Sequence, residues 1–351
     1  MLSPVTHFLA VSPVRRLRLL PATGRVVVRK GQKVAATDVV AEVSLAPEHL
    51  LLDIARGLGL SPQKADEFLQ LKAGDDVAEG DIVAGPVGMA RRVVRATKPG
   101  RVVIAGGGQV LMEIASRPYE LKAGIPGIVT ELYDDRGVEI EATGSLIQGV
   151  WGNGRIDAGL MNVLARTPVD VLTTDRLDVS QRGSVIYGGC CNEADVLQTA
   201  AEIPVRGLIL SSMDSALITL AEKMHYPIII IEGFGTIPMN SAAFKILSTN
   251  ERREVALNAE PWDRLVGIRP EIMIPLPAPG NLPLPIETDN FKPGQQIRVL
   301  QAEQKGMIGV LVNIRPGLTT LPSGLKAYAA DIRLENGENA VFPLANLEVL
   351  V

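Results

Sequence analysis

The stretch from Gly183 to Asn258 decides the fold class. It contains three short apolar runs that each predict a buried strand: GSVIYGG (183–189), VRGLILSS (205–212) and PIIII (227–231). Apolar residues at helical spacing follow these runs, and EVALN (254–258) predicts a fourth strand. This alternation predicts a central α/β domain of β-α-β-α-β-α order.

The helix starts in this block carry residues that commonly cap helices. Asn192 precedes the first predicted helix, Asp214 the second, and Asn240 or Ser241 the third. A side-chain oxygen at such a position accepts a hydrogen bond from an N–H group of the first helical turn. Helix capping is therefore the simplest role for Asn192 and Asp214, and it is expected in any α/β domain.

The carboxyl ends of the three strands predict a possible ligand site. In an open α/β sheet, the loops that follow the strands lie at one edge. Helix N-termini favour anions, and glycines let a ligand approach the backbone, so a small phosphate or carboxylate would suit these loops. The candidate ligand-binding residues are Gly188, Gly189, Cys190, Cys191, Asn192, Ser211, Ser212, Asp214, Glu232, Gly233 and Gly235.

The adjacent pair Cys190 and Cys191 lies at the entrance to a predicted helix, where a thiol can be activated. A nucleophilic cysteine usually needs a histidine as base. The nearest histidine, His225, precedes the third strand and is expected at the opposite edge of the sheet. Two cysteines without a local histidine are also too few for a metal site. We therefore expect no catalytic residue, metal or cofactor.

Length and composition exclude several classes of protein. A chain of 351 residues predicts two or three domains. The net charge of −4 gives no field that attracts nucleic acid, and aromatic residues make up only 4% of the chain. Adjacent cysteines rarely bond to each other, which favours a reducing cytoplasm. No apolar run reaches the ~18–20 residues of a membrane span, and the order of residues at the N-terminus is wrong for a signal peptide.

The N-terminal part contains an internal repeat. The pattern G-x-x-V-x-x-x-D-[VI]-V-A occurs from Gly31 to Ala41 and again from Gly74 to Ala84, which predicts a duplicated β-unit. Between the copies, the apolar spacing around Leu50 to Leu58 predicts a helix, and Ser61-Pro62 predicts the start of a second one.

GRVVVRKGQKV, LKAGDDVAEGDIVA and TKPGRVVIAGGGQVL, within residues 21–115, resemble barrel-sandwich hybrid (biotinyl/lipoyl-like) modules. Such modules carry a prosthetic group on a lysine at a hairpin tip. The matching hairpin, GPVGMARRVV (85–94), has Met89 but no lysine. The resemblance therefore implies a rigid β-module for spacing or docking rather than a carrier. Further along the chain, GVWGNG (149–154) is rich in glycine and predicts a linker, in which Trp151 packs a domain junction.

IYGGCC, VRGLILSS and HYPIIIIEGFG, within residues 183–236, are similar to swivelling β/α domains, such as the mobile domain of phosphoenolpyruvate-utilising enzymes. That family transfers phosphate on a histidine, and this chain has GGCCNEAD at the matching turn. The resemblance implies the fold without the phosphocarrier chemistry.

FKPGQQIRVLQAEQKGMIGVLVNI, which begins at Phe291, has the pattern of two strands joined by a glycine turn. It resembles the KOW motif, and the motif residues are Gly294, Lys305, Gly306 and Gly309, the last of which is expected at the sharp turn. DIRLENGENAVFPLANLEVL follows as a hairpin with Asn336-Gly337 at its turn. Residues 290–351 thus resemble a KOW-type SH3-like barrel, as in transcription elongation factors and ribosomal proteins.

KOW domains bind RNA or protein. In Phe291–Val351 six basic residues stand against five acidic ones, six minus five giving +1, and the basic residues are dispersed. Phosphate binding requires clustered positive charge. We therefore expect a protein partner, with nucleic acid bound through the C-terminal barrel as the alternative.

The sequence as a whole predicts an α/β and β multidomain protein. The predicted segments are a duplicated barrel-sandwich-like β-module with inserted helices at 1–148, a central α/β swivelling-like domain at 149–276, a proline-rich linker at 277–289 and an SH3-like barrel at 290–351. The function hypothesis is a non-enzymatic interaction or scaffold protein associated with the transcription or translation machinery. The alternatives are an RNA- or DNA-binding factor and a ligand sensor or enzyme that binds a small anion at the central loops.

Overall fold

The structure is a computed structural model that describes residues 2–45, 48–114, 118–263, 268–277, 282–300 and 306–351. It is rich in β-strands, as the sequence predicts. The strands are β1 Leu2–Thr6, β2 Phe8–Leu19, β3 Arg25–Val26, β4 Lys33–Val34, β5 Val39–Val43, β6 Glu48–Asp53, β7 Asp76–Val77, β8 Ile82–Val87, β9 Arg92–Arg95, β10 Gly100–Gly106, β11 Gln109–Ile114, β12 Tyr119–Lys122, β13 Gly127–Tyr133, β14 Gly137–Gln148, β15 Trp151–Gly152, β16 Ile156–Val163, β17 Ser184–Cys191, β18 Gly207–Met213, β19 Ile228–Phe234, β20 Glu254–Asn258, β21 Glu271–Pro275, β22 Thr288–Asn290, β23 Gln296–Val299, β24 Ile308–Thr320, β25 Lys326–Leu334, β26 Asn339–Pro343 and β27 Leu347–Leu350. The helices are α1 Ile54–Leu58, α2 Pro62–Asp66, α3 Ala194–Glu202, α4 Ile218–Ala221 and α5 Ser241–Thr249.

The chain divides into two compact units. The larger unit comprises Met1–Leu19, Val27–Val40 and Lys122–Val351, and the smaller one comprises Leu20–Val26 and Ala41–Leu121. This grouping differs from the four predicted segments, whose boundaries stay a prediction. Among the described residues, no helix is long and apolar enough to cross a membrane.

The larger unit contains an extensive mixed sheet. Its order is β15-β19-β18-β17-β16-β20-β21-β14-β13-β4, and β2 pairs along β14. Strands β16 to β19 run parallel to one another, with α3 and α4 in the crossovers, whereas β20 and β21 are antiparallel. The predicted strand–helix alternation of residues 183–258 is therefore confirmed.

The central strands are buried on both faces because helices or other strands cover each side. Successive side chains of a strand point to opposite faces. Accordingly Ile186 and Ile228 pack with helix α3, whereas Val185 and Ile229 pack with helix α5. This arrangement explains why the strands are nearly continuous apolar runs rather than alternating ones.

Helix starts are confirmed at two of the three predicted positions. The Asn240 side chain accepts from the N–H of Ala243 at 2.8 Å and caps α5. Asp214 accepts from the N–H of Ala216 at 2.9 Å and caps a 3-10 turn, Ser215–Leu217, that leads into α4. The prediction for Asn192 is wrong, because α3 begins one residue later, with Glu193 as N-cap.

The predicted helix around Leu50 to Leu58 is partly wrong. Leu50 and Leu51 belong to strand β6, which pairs with β11, and helix α1 starts only at Ile54. Pairing with β11 stabilises this segment as a strand more than its apolar spacing would stabilise a helix, because a short helix contributes little stability without packing.

The repeat predicted in the N-terminal part has the same backbone hydrogen bonds in both copies. The N–H of Gly31 donates to Val129 O at 2.7 Å, and the N–H of Gly74 donates to Val102 O at 2.7 Å. Both glycines have positive φ, of 81° and 99°, which favours glycine at this turn.

The repeated aspartates also have the same role. The Asp38 carboxylate accepts from the N–H of Ala35 at 2.8 Å, and Asp81 accepts from the N–H of Ala78 at 2.8 Å. A short polar side chain that binds the backbone of its own turn stabilises that turn. These contacts explain the conserved spacing from glycine to aspartate within the repeat.

The structure extends the repeat beyond the sequence pattern. Strand β4 pairs with Gly127 of hairpin β13–β14, and β7 pairs in the same way with Gly100 of hairpin β10–β11. A Cβ atom at either glycine would lie 2.4 Å from a carbonyl oxygen, that of Glu141 or Glu113. Each copy is therefore a strand plus a hairpin, and each needs glycine where two backbones approach closely.

A second sheet of the larger unit is formed by the two ends of the chain. Its order is β22-β1-β27-β23-β24-β25-β26, with β1 parallel to β27 and antiparallel to β22. The predicted hairpin with Asn336-Gly337 at its turn is confirmed as β25–β26. The N-terminal strand was not predicted to join this sheet.

Candidate functional site

The predicted ligand site lies at the carboxyl ends of β17, β18 and β19, which are neighbours and parallel. The prediction that these residues form loops is wrong for the most part. Gly188 to Cys191, Ser211 and Ser212, and Glu232 and Gly233 all belong to the strands. Residues 170–172 continue the ladder beside β17, because Leu172 N–H donates to Cys190 O at 2.8 Å.

The glycines of this edge serve chain packing. A Cβ atom on Gly188 would lie 2.5 Å from the Leu172 side chain, and one on Gly189 would lie 2.2 Å from Asp170 O. Gly189 also has a φ of 83°. The segment that contains Asp170 and Leu172 thus occupies the space that the sequence assigned to a ligand.

The two thiols have different neighbours. The Cys190 thiol donates to Asn192 Oδ1 at 3.1 Å and accepts from the Ser212 hydroxyl at 3.2 Å. The Cys191 side chain packs among apolar residues of the α3 face, and this burial raises its pKa to about 11. Cys191 is therefore a protonated, unreactive thiol at neutral pH.

A small cavity lies beside Cys190. Its volume is about 60 Å³, and it is lined by Ser211, Val171 and residues 236–238. The buried Ser211 hydroxyl has no hydrogen-bond partner within the described ranges. A cavity of this size holds a few waters or a small ion, because drug-sized ligands need ~300 Å³ or more. Ligand binding at this edge stays a prediction.

Glu232 is engaged in a buried ionic group that joins the two sheets. Its Oε1 accepts from the Asn240 N–H at 3.0 Å, and its Oε2 accepts from Arg298 at 3.1 Å. Arg298 also contacts Glu348 at 2.7 Å, and Glu348 contacts Arg269 at 3.1 Å. Arg298 was counted in the sequence among the dispersed basic residues, but it is 1% exposed and unavailable to a partner.

The four predicted KOW residues differ in their structural positions. Gly294 and Gly306 lie at turns with φ of 89° and 86°. The prediction that Gly309 forms the turn is wrong, since it lies inside β24 and a Cβ there would be 2.7 Å from Arg333 O. Lys305 lies outside the described residues.

The end of hairpin β24–β25 extends beyond its neighbouring strands. In the described structure, β23 pairs with β24 only at residues 308–310, and β26 pairs with β25 only at 329–333. Leu318 lies opposite Tyr328 in the remaining part. These two side chains are 61% and 59% exposed, and Leu325 is 69% exposed.

A much larger cavity, of about 720 Å³, lies within the larger unit. Its walls include Arg16, Arg18, Trp262 and Arg269, which the sequence did not single out. Along β2, Arg16 and Arg18 alternate with Leu17 and Leu19, and this alternation was the signal available in the sequence. It was missed because the partners of these arginines lie more than 100 residues away in the chain.

Within the described ranges, no group of three or more His, Cys, Asp and Glu side chains could hold a metal ion.

Trp151 contacts Phe234 edge to face, with ring centroids 6.1 Å apart, and packs on the α3 face of the sheet.

Comparison with known proteins identifies no family for this chain. No protein-family model matches it, and no curated protein is similar enough in sequence to count as a relative.

Proposed function

We propose that the protein is a non-enzymatic, multidomain docking protein that binds a partner protein through the end of hairpin β24–β25. The observation that carries this proposal is the exposure of Leu318, Leu325 and Tyr328 on a part of the hairpin that pairs only with itself among the described residues. Leu318 and Tyr328 lie opposite each other across the hairpin, and neighbouring exposed apolar side chains are typical of protein–protein contact sites.

The charge of the hairpin end favours a partner with an acidic rim around an apolar centre. The segment 315–328 contains Arg315 and Lys326 and no acidic residue. Arg315 is paired with Asp331 at 2.7 Å, and Lys326 has no ion-pair partner in the part of the chain that the structure describes. A single cation of this kind is a weak electrostatic footprint for phosphate groups.

Leucine side chains favour protein over nucleic acid as the partner. Bases bind by stacking on aromatic rings, and Tyr328 is the aromatic residue of this segment. Leu318 and Leu325 offer apolar area that complements an apolar protein surface instead. The resemblance of residues 290–351 to KOW-type barrels supports the same proposal and suggests transcription or translation machinery as the setting.

Site-specific photo-cross-linking tests the proposal directly. A photoreactive phenylalanine analogue replaces Tyr328 in the full chain, and the matched control carries it at Val179, which is 77% exposed. We expect one defined adduct from position 328 that resists nuclease and is digested by protease, and no such adduct from position 179.

A Leu318→Ser/Leu325→Ser variant with the analogue at position 328 should lose the adduct while its melting temperature stays within 1–2 °C of the parent, because exposed substitutions change stability by roughly 0.5 kcal/mol or less. A nuclease-sensitive adduct would assign the surface to nucleic acid. Equal adducts from positions 328 and 179 would overturn the proposal.

A further inference from the structure

We infer that the 720 Å³ cavity of the larger unit is a binding site for a small organic monoanion, a carboxylate with an aromatic or aliphatic body. This site is separate from the hairpin end and does not depend on the proposed docking function. Its volume falls within the ~300–1,000 Å³ of small-molecule sites.

The walls combine apolar surface with fixed hydrogen-bond donors. Leu17, Ile125 and Leu347 contribute apolar area, and Trp262 lies under the Arg269 guanidinium, 4.3 Å from the ring centroid. Such a wall of aliphatic and aromatic side chains suits the body of an amphipathic ligand.

The arginines of the cavity wall are held in place by carboxylates. Arg16 makes two hydrogen bonds to Glu271, at 2.8 and 2.6 Å, and Arg18 makes two to Glu260, at 2.5 and 2.7 Å. Arg16 also donates to Arg15 O at 2.9 Å and to Glu287 at 3.2 Å, and Arg18 donates to Lys122 O at 3.0 Å. Of the five N–H donors of each guanidinium, one therefore remains on Arg16 and two remain on Arg18. The Nε of Arg269 is buried and has no hydrogen-bond partner among the described residues.

The buried carboxylates have no comparable spare capacity. Glu271 accepts three hydrogen bonds, two from Arg16 and one from Gln148 at 2.7 Å. Glu348 is engaged with Arg298, Arg269 and Thr6. The polar groups that remain for an occupant are therefore predominantly donors, and they select a ligand rich in acceptors.

The charge balance sets the charge of the ligand. The charged residues that line the cavity are Arg15, Arg16, Arg18 and Arg269, with Glu271, Glu287 and Glu348, so four minus three gives one excess positive charge. The carboxylates of Glu271 and Glu348 are 5% and 2% exposed, whereas that of Glu287 is 56% exposed.

Glu287 thus occupies a position that a ligand carboxylate can take. It contacts Arg16 through one bond, Nη1 to Oε1 at 3.2 Å, and an exposed pair of this kind is weak. When Glu287 turns into solvent, Arg16 loses one of its two carboxylate partners. A ligand carboxylate that takes this place keeps the charge of the lining unchanged, which is why the site takes a monoanion.

Calorimetric titration of the full chain with 4-phenylbutyrate, its uncharged amide and the cation 4-phenylbutylamine tests the inference. These probes share one body and differ in charge. We expect 4-phenylbutyrate to bind at least about tenfold more tightly than the other two, because only its carboxylate replaces Glu287 on Arg16.

Two exposed substitutions sharpen the test. Glu287→Gln removes the competing charge and should tighten 4-phenylbutyrate binding by about three- to tenfold. Leu17→Glu, at a position that is 47% exposed on the cavity wall, should weaken it by a similar factor. Leu19→Glu is the matched control, since Leu19 has the same orientation on β2 but does not line the cavity, and should bind like the wild type.

Three results would overturn the inference: no measurable binding of 4-phenylbutyrate, equal affinity for the acid and the amide, or unchanged affinity in Glu287→Gln. Loss of binding in Leu17→Glu and Leu19→Glu alike would also count against it. None of these outcomes bears on the cross-linking at Tyr328, so failure here leaves the docking proposal standing.

Discussion

Replacement of Arg298 by methionine should destabilise the larger unit strongly. Arg298 is buried between the Glu232 carboxylate, at 3.1 Å, and the Glu348 carboxylate, at 2.7 Å. Methionine fills much of the volume but leaves both carboxylates buried without this cation. Removal of one partner from a buried ionic pair destabilises a protein by about 3–5 kcal/mol.

The pH dependence gives an independent value of similar size. Burial alone would raise the pKa of Glu348, but the charges of Arg298 and Arg269 outweigh it and lower the pKa to about 2, from 4.5. At 1.36 kcal/mol per pKa unit, this shift corresponds to about 3 kcal/mol. Because the folded-state pKa is depressed, that stability is present above pH 4.5 and is lost as the pH falls toward 2.

In Arg298→Met the Glu348 carboxylate loses the cation that lowers its pKa most, so we expect it to bind a proton more readily in the folded variant than in the folded wild type. The variant should therefore lose most stability at pH 7 and regain part of the difference at pH 4. Denaturant titrations of wild type and variant at both pH values measure this change. Arg315→Met is the control, because its pair with Asp331 is 39% and 33% exposed and should contribute ~1 kcal/mol or less. Equal losses in Arg298→Met and Arg315→Met, or a deficit that does not shrink at pH 4, would refute the reasoning.

Three further predictions concern other buried positions. Gly189→Ala should lower the free energy of unfolding by at least ~2 kcal/mol in denaturant titrations, since its Cβ would lie 2.2 Å from Asp170 O. Gly183→Ala is the control: Gly183 also has a positive φ, of 74°, but open space around it, so this variant should lose only about 1 kcal/mol of stability. Burial raises the pKa of the Cys191 thiol, so iodoacetamide at pH 8 should alkylate it only after unfolding, and rapid labelling of the native protein, read by mass spectrometry, would contradict this. Burial lowers the pKa of His7, although Glu287 opposes the shift, so the stabilising contribution of neutral His7 is present above pH 6.5 and is lost as the pH falls below it. His7→Gln should therefore flatten the change in melting temperature between pH 7.5 and 5.5. An unchanged slope would show that His7 does not titrate.

The central strands could be predicted because their signal is local. Buried parallel strands are covered on both faces, and this gives short apolar runs such as Ile228 to Ile231 that are visible in the sequence. The repeat was visible for the same reason, since a positive-φ glycine and a turn-binding aspartate are required at fixed positions. Helix boundaries were less certain, as the strand at Leu50 and the cap at Glu193 show.

The candidate site was harder to predict because its residues have a local explanation that competes with the functional one. The glycine pair Gly188-Gly189 fits a ligand-binding turn, but the chain itself passes over these glycines at Asp170. Likewise Glu232 reads as a residue of a polar loop, although it is a buried partner of Arg298. A sequence pattern specifies that space is needed at a glycine and does not specify what fills it.

The sequence by itself determined the central apolar strands, the Asn336-Gly337 turn and the repeated β-unit, because each depends on residues close together in the chain. The tertiary structure alone decided the joining of both chain ends in one sheet, the burial of Arg298, and the cavity between Arg16 and Arg269. The physical reason is that these features pair groups more than 50 residues apart. Charge and hydrogen bonding act over a few ångströms in space, and only the folded chain sets those distances.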